Sequence, residues 1–343
     1  MPSKIPVAVL GASGVVGQHF VALLENHPWF ELSACFASRK RKFSEVNWYA
    51  SLPKPKYADS LEIQKLNIDD IVSSSKAVFS ALPAKVAIDV EKELANRGVW
   101  VFSNASAYRM QPNVPILIPE INAKHLELVS KTKKASIITN SNCSTSGLTL
   151  SLAPFLKFGI KKCYVSTYQA LSGAGYPGVS AMDITGNLLP HINGEEEKIV
   201  KESKKILGIF ESDKIISHSM DITASAFRVN VPYGHTEAVF IELEHSIDRQ
   251  TAIEALSEFT GFDPDVTKLP STPKQILKVF NDPWRPQPKY DYFQGNGMTV
   301  SIGSVKTDKN TLSFKLLVNN LIRGAAGGSV QNAELAYIKG YIK

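Results

Sequence analysis

The sequence predicts an α/β fold. A Rossmann-type doubly wound sheet comes first, then an α+β domain on a mostly antiparallel sheet. Three observations predict it. Short apolar runs alternate with helical stretches through the N-terminal part of the chain. A glycine-rich turn joins the first strand to the first helix. The hydrophobic pattern then changes from solid blocks to strict alternation, the mark of strands with one wetter face. A chain of 343 residues is also too long for one simple core and suits two domains.

In chain order, residues 5–10 read as a buried strand, 17–24 as a helix and 32–37 as a second strand. Residues 77–81 form another strand and 86–96 a helix that Gly98 stops; strands follow at 99–102 and 137–139. Residues 148–156 are apolar with helical character. Period-two alternation marks strands at 164–170 and 238–243, and 299–305 and 311–318 read as a pair. Charged amphipathic helices are expected at 194–207 and 251–259. The stretch 262–290 holds six prolines and is expected to run irregularly over the surface. Residues 327–342 read as a helix returning to the first domain. The expected division is 1–142 plus 320–343 for the cofactor domain, with 143–319 between them for catalysis.

Composition narrows the function. Hydrophobic residues are 44% and charged residues 20%, an ordinary globular balance. No apolar run approaches the roughly 20 residues needed to span a bilayer, and the first strand begins too early for a signal peptide. A cytoplasmic protein is expected. Three cysteines do not make a disulfide framework, and no Cys or His spacing suggests a metal site. Net charge is +6. The basic residues are scattered apart from runs at 39–42 and 131–134, and no nucleic-acid motif accompanies them. A small anionic substrate and a phosphorylated cofactor account for positive potential as well.

Gly11, Gly14 and Gly17 lie in the turn after the first strand. Gly11 permits the tight turn, Gly14 lets backbone approach a pyrophosphate, and Gly17 allows close helix–strand packing. The free amides of the helix N-terminus favour phosphate. At the end of the second strand, where an NAD enzyme usually carries an acid for the ribose 2′-hydroxyl, this chain has Ser38 and Arg39. Both can hydrogen-bond a 2′-phosphate, so NADP is expected over NAD.

Ser141, Asn142, Cys143, Ser144, Thr145, Ser146 and Gly147 follow the strand at 137–139. Cys143 therefore falls at a helix N-terminus, where dipole and amides are expected to lower a thiol pKa and hold an oxyanion. Cys35 and Cys163 sit in or beside apolar strands and read as core residues. A cysteine beside a dinucleotide implies acyl chemistry on sulfur, with hydride transfer at the acyl carbon.

That segment, together with residues 168–175, with 228–235 and with the stretch 320–334, resembles aspartate-β-semialdehyde dehydrogenase, in its archaeal and fungal branch. The resemblance covers nearly the whole chain. It implies Cys143 as nucleophile and His235 as acid/base catalyst. Arg228 pairs with the substrate carboxylate and Gln169 also binds substrate. Glu202 contacts the amino group, with residues 195–197 as rivals. Lys205, Arg109 and Asn142 face the phosphate. A solvated charged face is the plainer reading of 201–205. The implied cofactor contacts are Gly11, Ser13, Gly14, Val15, Val16, Ser38, Arg39, Ser80, Ser172, Gly173 and Asn320. The implied reaction reduces L-4-aspartyl phosphate to aspartate semialdehyde with NADPH and releases inorganic phosphate, in a homodimer or homotetramer. Malonyl-CoA reductase would use the same cysteine, arginine and histidine, and a non-catalytic NADP-binding protein is the alternative of another class.

Overall fold

The structure, a computed structural model, describes residues 3–130 and 135–343. The basic run at 131–134 lies outside the described residues. The first sheet contains β1 (Ile5–Leu10), β2 (Phe30–Ala37), β3 (Arg41–Lys42), β4 (Glu62–Lys65), β5 (Ala77–Ser80), β6 (Trp100–Ser103) and β7 (Ile137–Thr139). Its order is β3-β4-β2-β1-β5-β6-β7, parallel except for the β3–β4 pair. Alternate residues feed two cores. Val7, Val9, Cys35 and Phe79 pack with Phe20 of the helix Val15–Leu23 and with Val330 and Ala333 of the helix Gly327–Ile338. Ala8, Leu10, Phe36 and Val78 pack with Ala87 and Leu94 of the helix Ala84–Asn96. A strand buried on both faces must be apolar throughout, and β1 is.

The second sheet contains β8 (Ile160–Gln169), β9 (Leu188–Leu189), β12 (Asp221–Val229), β13 (His235–Leu243), β14 (Leu277–Val279), β15 (Val300–Asp308) and β16 (Thr311–Val318). A separate hairpin pairs β10 (Ile209–Glu211) with β11 (Lys214–Ile216). The sheet order is β14-β15-β16-β13-β8-β12-β9. It is mostly antiparallel, with parallel pairs β14–β15 and β8–β12. Its inner face packs on the helices Cys143–Leu152, Glu195–Ile206 and Arg249–Ser257. Its outer face carries exposed Tyr164, Tyr168 and Phe240, with Tyr164 opposite Phe240 and Tyr168 stacked on Phe227.

The proline-rich stretch differs from expectation. β14 adds to the sheet edge, Ile276 and Leu277 are buried in the core, and Ser271 is bonded to Glu334. Prolines break its regularity, but apolar anchors between them hold it down. No helix among the described residues is long and apolar enough to cross a membrane.

Candidate active site

Cys143 is the first residue of the helix Cys143–Leu152. Asn142 caps that helix, its Oδ1 accepting from the N–H groups of Ser144 and Thr145 at 3.0 and 3.2 Å. The helix lies close on the sheet because residue 147 is glycine: a Cβ there would meet Val318 Cβ at 2.8 Å. Beneath Cys143 the pleat directs every second side chain inward, so Gln169 of β8, Arg228 of β12 and His235 of β13 all point to one spot. His235 Nε2 lies 3.2 Å from Cys143 Sγ. Arg228 Nη1 donates to Ala170 O at 2.7 Å. Gly173 covers both, since a Cβ there would sit 2.7 Å from Arg228 Nη1 and 3.1 Å from His235 Nε2.

The ionisation of Cys143 departs from expectation. Burial, reinforced by the nearby Glu195 carboxylate, pushes the thiol up to about 12 against the pull of Arg228 and Arg109. Burial and then Arg228 bring His235 down to about 3. The helix terminus favours the thiolate, while burial acts against it.

A polar cluster adjoins the sulfur. Glu202 Oε1 accepts from Arg109 Nη1 at 3.0 Å and its Oε2 accepts from the Asn142 N–H at 2.6 Å. Glu195 Oε2 accepts from Asn142 Nδ2 at 2.8 Å and Gln169 Nε2 at 3.3 Å, and Oε1 from Lys198 at 2.9 Å. Burial would raise Glu195, but these donors win and hold it below the ordinary carboxylate range. Lys205 gives its three protons to the carbonyls of Arg109, Gln111 and Val114 at 2.6, 2.8 and 2.7 Å, and burial brings it down to about 8. The Arg109 loop is thus clamped from below by Lys205. The Nε atom of Arg109 is buried and has no hydrogen-bond partner.

Beside the glycine loop lies a cleft of ≈ 280 Å³ lined by Val15, Tyr49, Ser172 and Tyr176, among others. Gly14 is the N-cap of the helix Val15–Leu23 and contributes no side-chain cap, so the first-turn amides stay open to an anion. Gly11 has φ +78°, and a Cβ at Gly17 would lie 2.2 Å from Gly11 O; bare backbone is required at both. Ser13 is part of the same turn and Val16 of the first helical turn. Ser38 and Arg39 are exposed at the end of β2 with no acid beside them in sequence. Ser80 ends β5 with its hydroxyl buried beside Glu91. Asn320 Nδ2 donates to Ser172 Oγ at 2.9 Å, and its Oδ1 accepts from the Gly234 N–H at 3.0 Å. These groups fit a dinucleotide phosphate and its ribose. Behind Ser80, Glu91 accepts from Ser103 Oγ at 2.8 Å. Burial pushes Glu91 up to about 7 despite Ser80, Ser103 and Arg109.

Sequence reasoning missed Gly324. It sits in a π-helical turn, Ile322–Ala326, and a Cβ there would be 2.7 Å from Cys143 Cβ. The turn is pinned by the buried Arg323, whose Nη2 pairs with Glu120 at 2.8 Å, Nη1 donates to Gln331 at 2.9 Å and Nε donates to Met298 O at 2.7 Å. The available signal was the run of glycine and alanine from 324 to 328, too dense in small residues for an ordinary helix.

A doubly wound sheet with a glycine turn, joined to a second domain that carries a cysteine–histidine pair, defines a dinucleotide-dependent oxidoreductase of the semialdehyde dehydrogenase class. The family description "Semialdehyde dehydrogenase, NAD binding domain" matches residues 6–129, and "Semialdehyde dehydrogenase, dimerisation domain" matches 152–323. The aspartate-semialdehyde dehydrogenase of Archaeoglobus fulgidus is 42% identical over 342 residues, covering 97% of this chain and 98% of the relative. That of Saccharomyces cerevisiae is 37% identical over 372 residues, covering all of both. The crystal structure of the Candida albicans enzyme with NADP superposes with a TM-score of 0.90 at 34% identity, over 99% of this chain and 100% of that one. The chain belongs to the aspartate-semialdehyde dehydrogenase family.

Proposed function

We propose that this chain converts L-4-aspartyl phosphate to L-aspartate 4-semialdehyde through a thioacyl intermediate on Cys143, a step toward lysine, threonine, methionine and isoleucine. The observation that carries the reading is the convergence of Cys143, His235 and Arg228 on one spot, with His235 Nε2 3.2 Å from the sulfur. NADPH, held by Gly11, Ser13, Gly14, Val15, Val16, Ser38, Arg39, Ser80, Ser172, Gly173 and Asn320, supplies the hydride when bound.

Arg228 offers a planar fork to the substrate carboxylate, beside Gln169. Glu202 and its neighbour Glu195 supply negative charge for the ammonium group. Arg109, with its unpartnered Nε, receives the phosphate, with the Lys205 charge behind it and Asn142 at its side. Cys143 attacks the acyl carbon, and the positive end of the helix dipole favours the oxyanion. His235 faces both sulfur and acyl oxygen. Gly173 seals the site against water, which would hydrolyse a thioester. Residues 1–142 plus 320–343 form the cofactor domain and 143–319 the catalytic domain. Two copies associate through the aromatic outer face of the second sheet, as a cytoplasmic homodimer or a tetramer of such pairs. Substrate and phosphate are its small-molecule partners.

The test is phosphate-dependent NADP reduction with aspartate semialdehyde. Activity is expected, and Cys143→Ala abolishes it while leaving NADP affinity unchanged. Turnover of malonyl-CoA without turnover of the semialdehyde would reverse the substrate choice.

A further inference from the structure

Three elements of the site meet at one buried carboxamide. Asn140 directly follows β7 and lies three residues before Cys143. Its backbone N–H donates to Ser103 O at 2.8 Å, which joins it to the end of β6. Its side-chain Nδ2 uses both protons, one on Ala325 O of the π-helical turn at 2.9 Å and one on Asn104 Oδ1 at 3.2 Å. The Asn104 carbonyl in turn accepts from Arg109 Nη2 at 2.8 Å. The nucleophile loop, the Arg109 loop and the turn that backs Cys143 are therefore tied through a single nitrogen.

The direction of this chain of bonds is fixed. Ala325 O is a carbonyl oxygen and can only accept, so Asn140 must present its NH₂ there. Asn104 then faces Asn140 with its oxygen and sends its own Nδ2 to Ser80 O at 3.4 Å. Turning the Asn104 amide over would set its oxygen against the Ser80 carbonyl. Gly328 leaves room for the Asn140 amide, since a Cβ there would lie 2.9 Å from Oδ1 and 3.3 Å from Nδ2. Asn140 is buried, so a carbonyl that loses this donor is left without water in its place.

We propose that Asn140 is a positioning residue. It holds the π-helical turn against Cys143 and the Arg109 loop at its distance from the sulfur, and so sets how the acyl phosphate sits on the nucleophile. This deepens the acyl-phosphate reading above and rests on it. Gly324 immediately precedes Ala325 and packs on the Cys143 backbone, where a Cβ would lie 2.8 Å from Cys143 Cα. A shift of Ala325 thus reaches the nucleophile through one peptide unit. A shift of Asn104 reaches the phosphate through the guanidinium that it holds.

The test compares Asn140→Ala with Asn140→Asp. Alanine removes both side-chain bonds. Aspartate keeps the shape but puts an acceptor where the donor was, against Ala325 O and Asn104 Oδ1, and no flip of Asn104 relieves every contact. In phosphate-dependent NADP reduction with aspartate semialdehyde, kcat is expected to fall about tenfold in the alanine variant. In the aspartate variant it falls about 100-fold, the cost of a displacement near 1 Å. KM for phosphate rises in both, while the NADP dissociation constant holds. Asn140→Ala combined with Gly324→Ala should lose less than the product of the two single losses, because freeing the turn gives the new methyl room. Alkylation of Cys143 by iodoacetamide, read by peptide mass, should slow in the order wild type, Asn140→Ala, Asn140→Asp.

Equal kcat in the alanine and aspartate variants overturns the proposal, and so do losses that simply multiply in the double variant. Should Asn140→Asp fail to fold, the alanine variant and its double carry the test by the same criterion. If the wild type does not turn over the semialdehyde, the substrate reading falls instead. The alkylation rates then still decide the role of Asn140, and rates unchanged from wild type overturn it.

Discussion

Gly324→Ala tests how closely the π-helical turn must approach the nucleophile. The new methyl would stand 2.7 Å from Cys143 Cβ, 2.8 Å from Cys143 Cα and 3.1 Å from Cys143 O. Carbon atoms rest at about 3.5–4.0 Å, so the contact is short by about 1 Å. None of these atoms ends a flexible side chain. The turn is held by Arg323 on Glu120, and the helix is seated on Val318 through Gly147. Something rigid must therefore shift by about 1 Å, and a misplacement of that size near reacting atoms costs about 100-fold in kcat. Overpacking should also cost about 1–3 kcal/mol of stability. The assay is kcat for phosphate-dependent NADP reduction, with NADP affinity and a denaturant midpoint measured alongside. A fall in kcat with unchanged NADP affinity is expected. Wild-type kcat together with wild-type stability would refute the reasoning.

Arg228→Lys keeps the charge but loses the fork and its bond to Ala170 O, so KM for the semialdehyde should rise by about tenfold or more; steady-state kinetics read it. Arg39→Ala should raise KM for NADPH by about 10- to 150-fold, the worth of a charge-assisted hydrogen bond of about 1.5–3 kcal/mol, and leave KM for NADH alone. Equal effects on both cofactors would remove Arg39 from the 2′-phosphate. Glu91→Gln tests the buried acid behind Ser80. Its carboxyl rises from an ordinary 4.5 to about 7 on folding, so its contribution to stability is whole below pH 4.5 and is lost as pH rises through 7. That shift corresponds to about 3.5 kcal/mol at most, at about 1.4 kcal/mol per unit. Thermal unfolding at pH 5.5 and 8.5 should show Glu91→Gln gaining on the wild type at the higher pH, and an equal difference at both would rule the buried charge out.

The fold was legible where one physical signal dominates. Unbroken apolar runs at β1, β5 and β7 mark strands covered on both faces, and the alternation in β8 and β13 marks a face left open. β4 (Glu-Ile-Gln-Lys) escaped notice because an edge-side strand needs just one buried residue, Ile63. The helix Ile68–Ser74 likewise buries little beyond Ile71. Within the site, Cys143 stood out because a polar setting is unusual for a core cysteine. The packing around the sulfur was not legible, since a local motif shows the helix end but not what tertiary structure brings against it. Glu195 and Glu202 could not be ranked by sequence either, because both lie on the inner side of one helix and both reach Asn142.

The helix Gly327–Ile338 completes the core that opens with β1, through Val330, Ala333 and Ala336. During synthesis the first sheet therefore emerges with one side covered by the helix Val15–Leu23 alone, and it stays so until the whole second sheet has been translated. A strand-rich half-structure with exposed valine and phenylalanine is a target for holdase chaperones and for self-association. Truncations that remove this helix should accumulate as aggregates, not as a weakened enzyme, even though no residue of the helix touches the reacting sulfur.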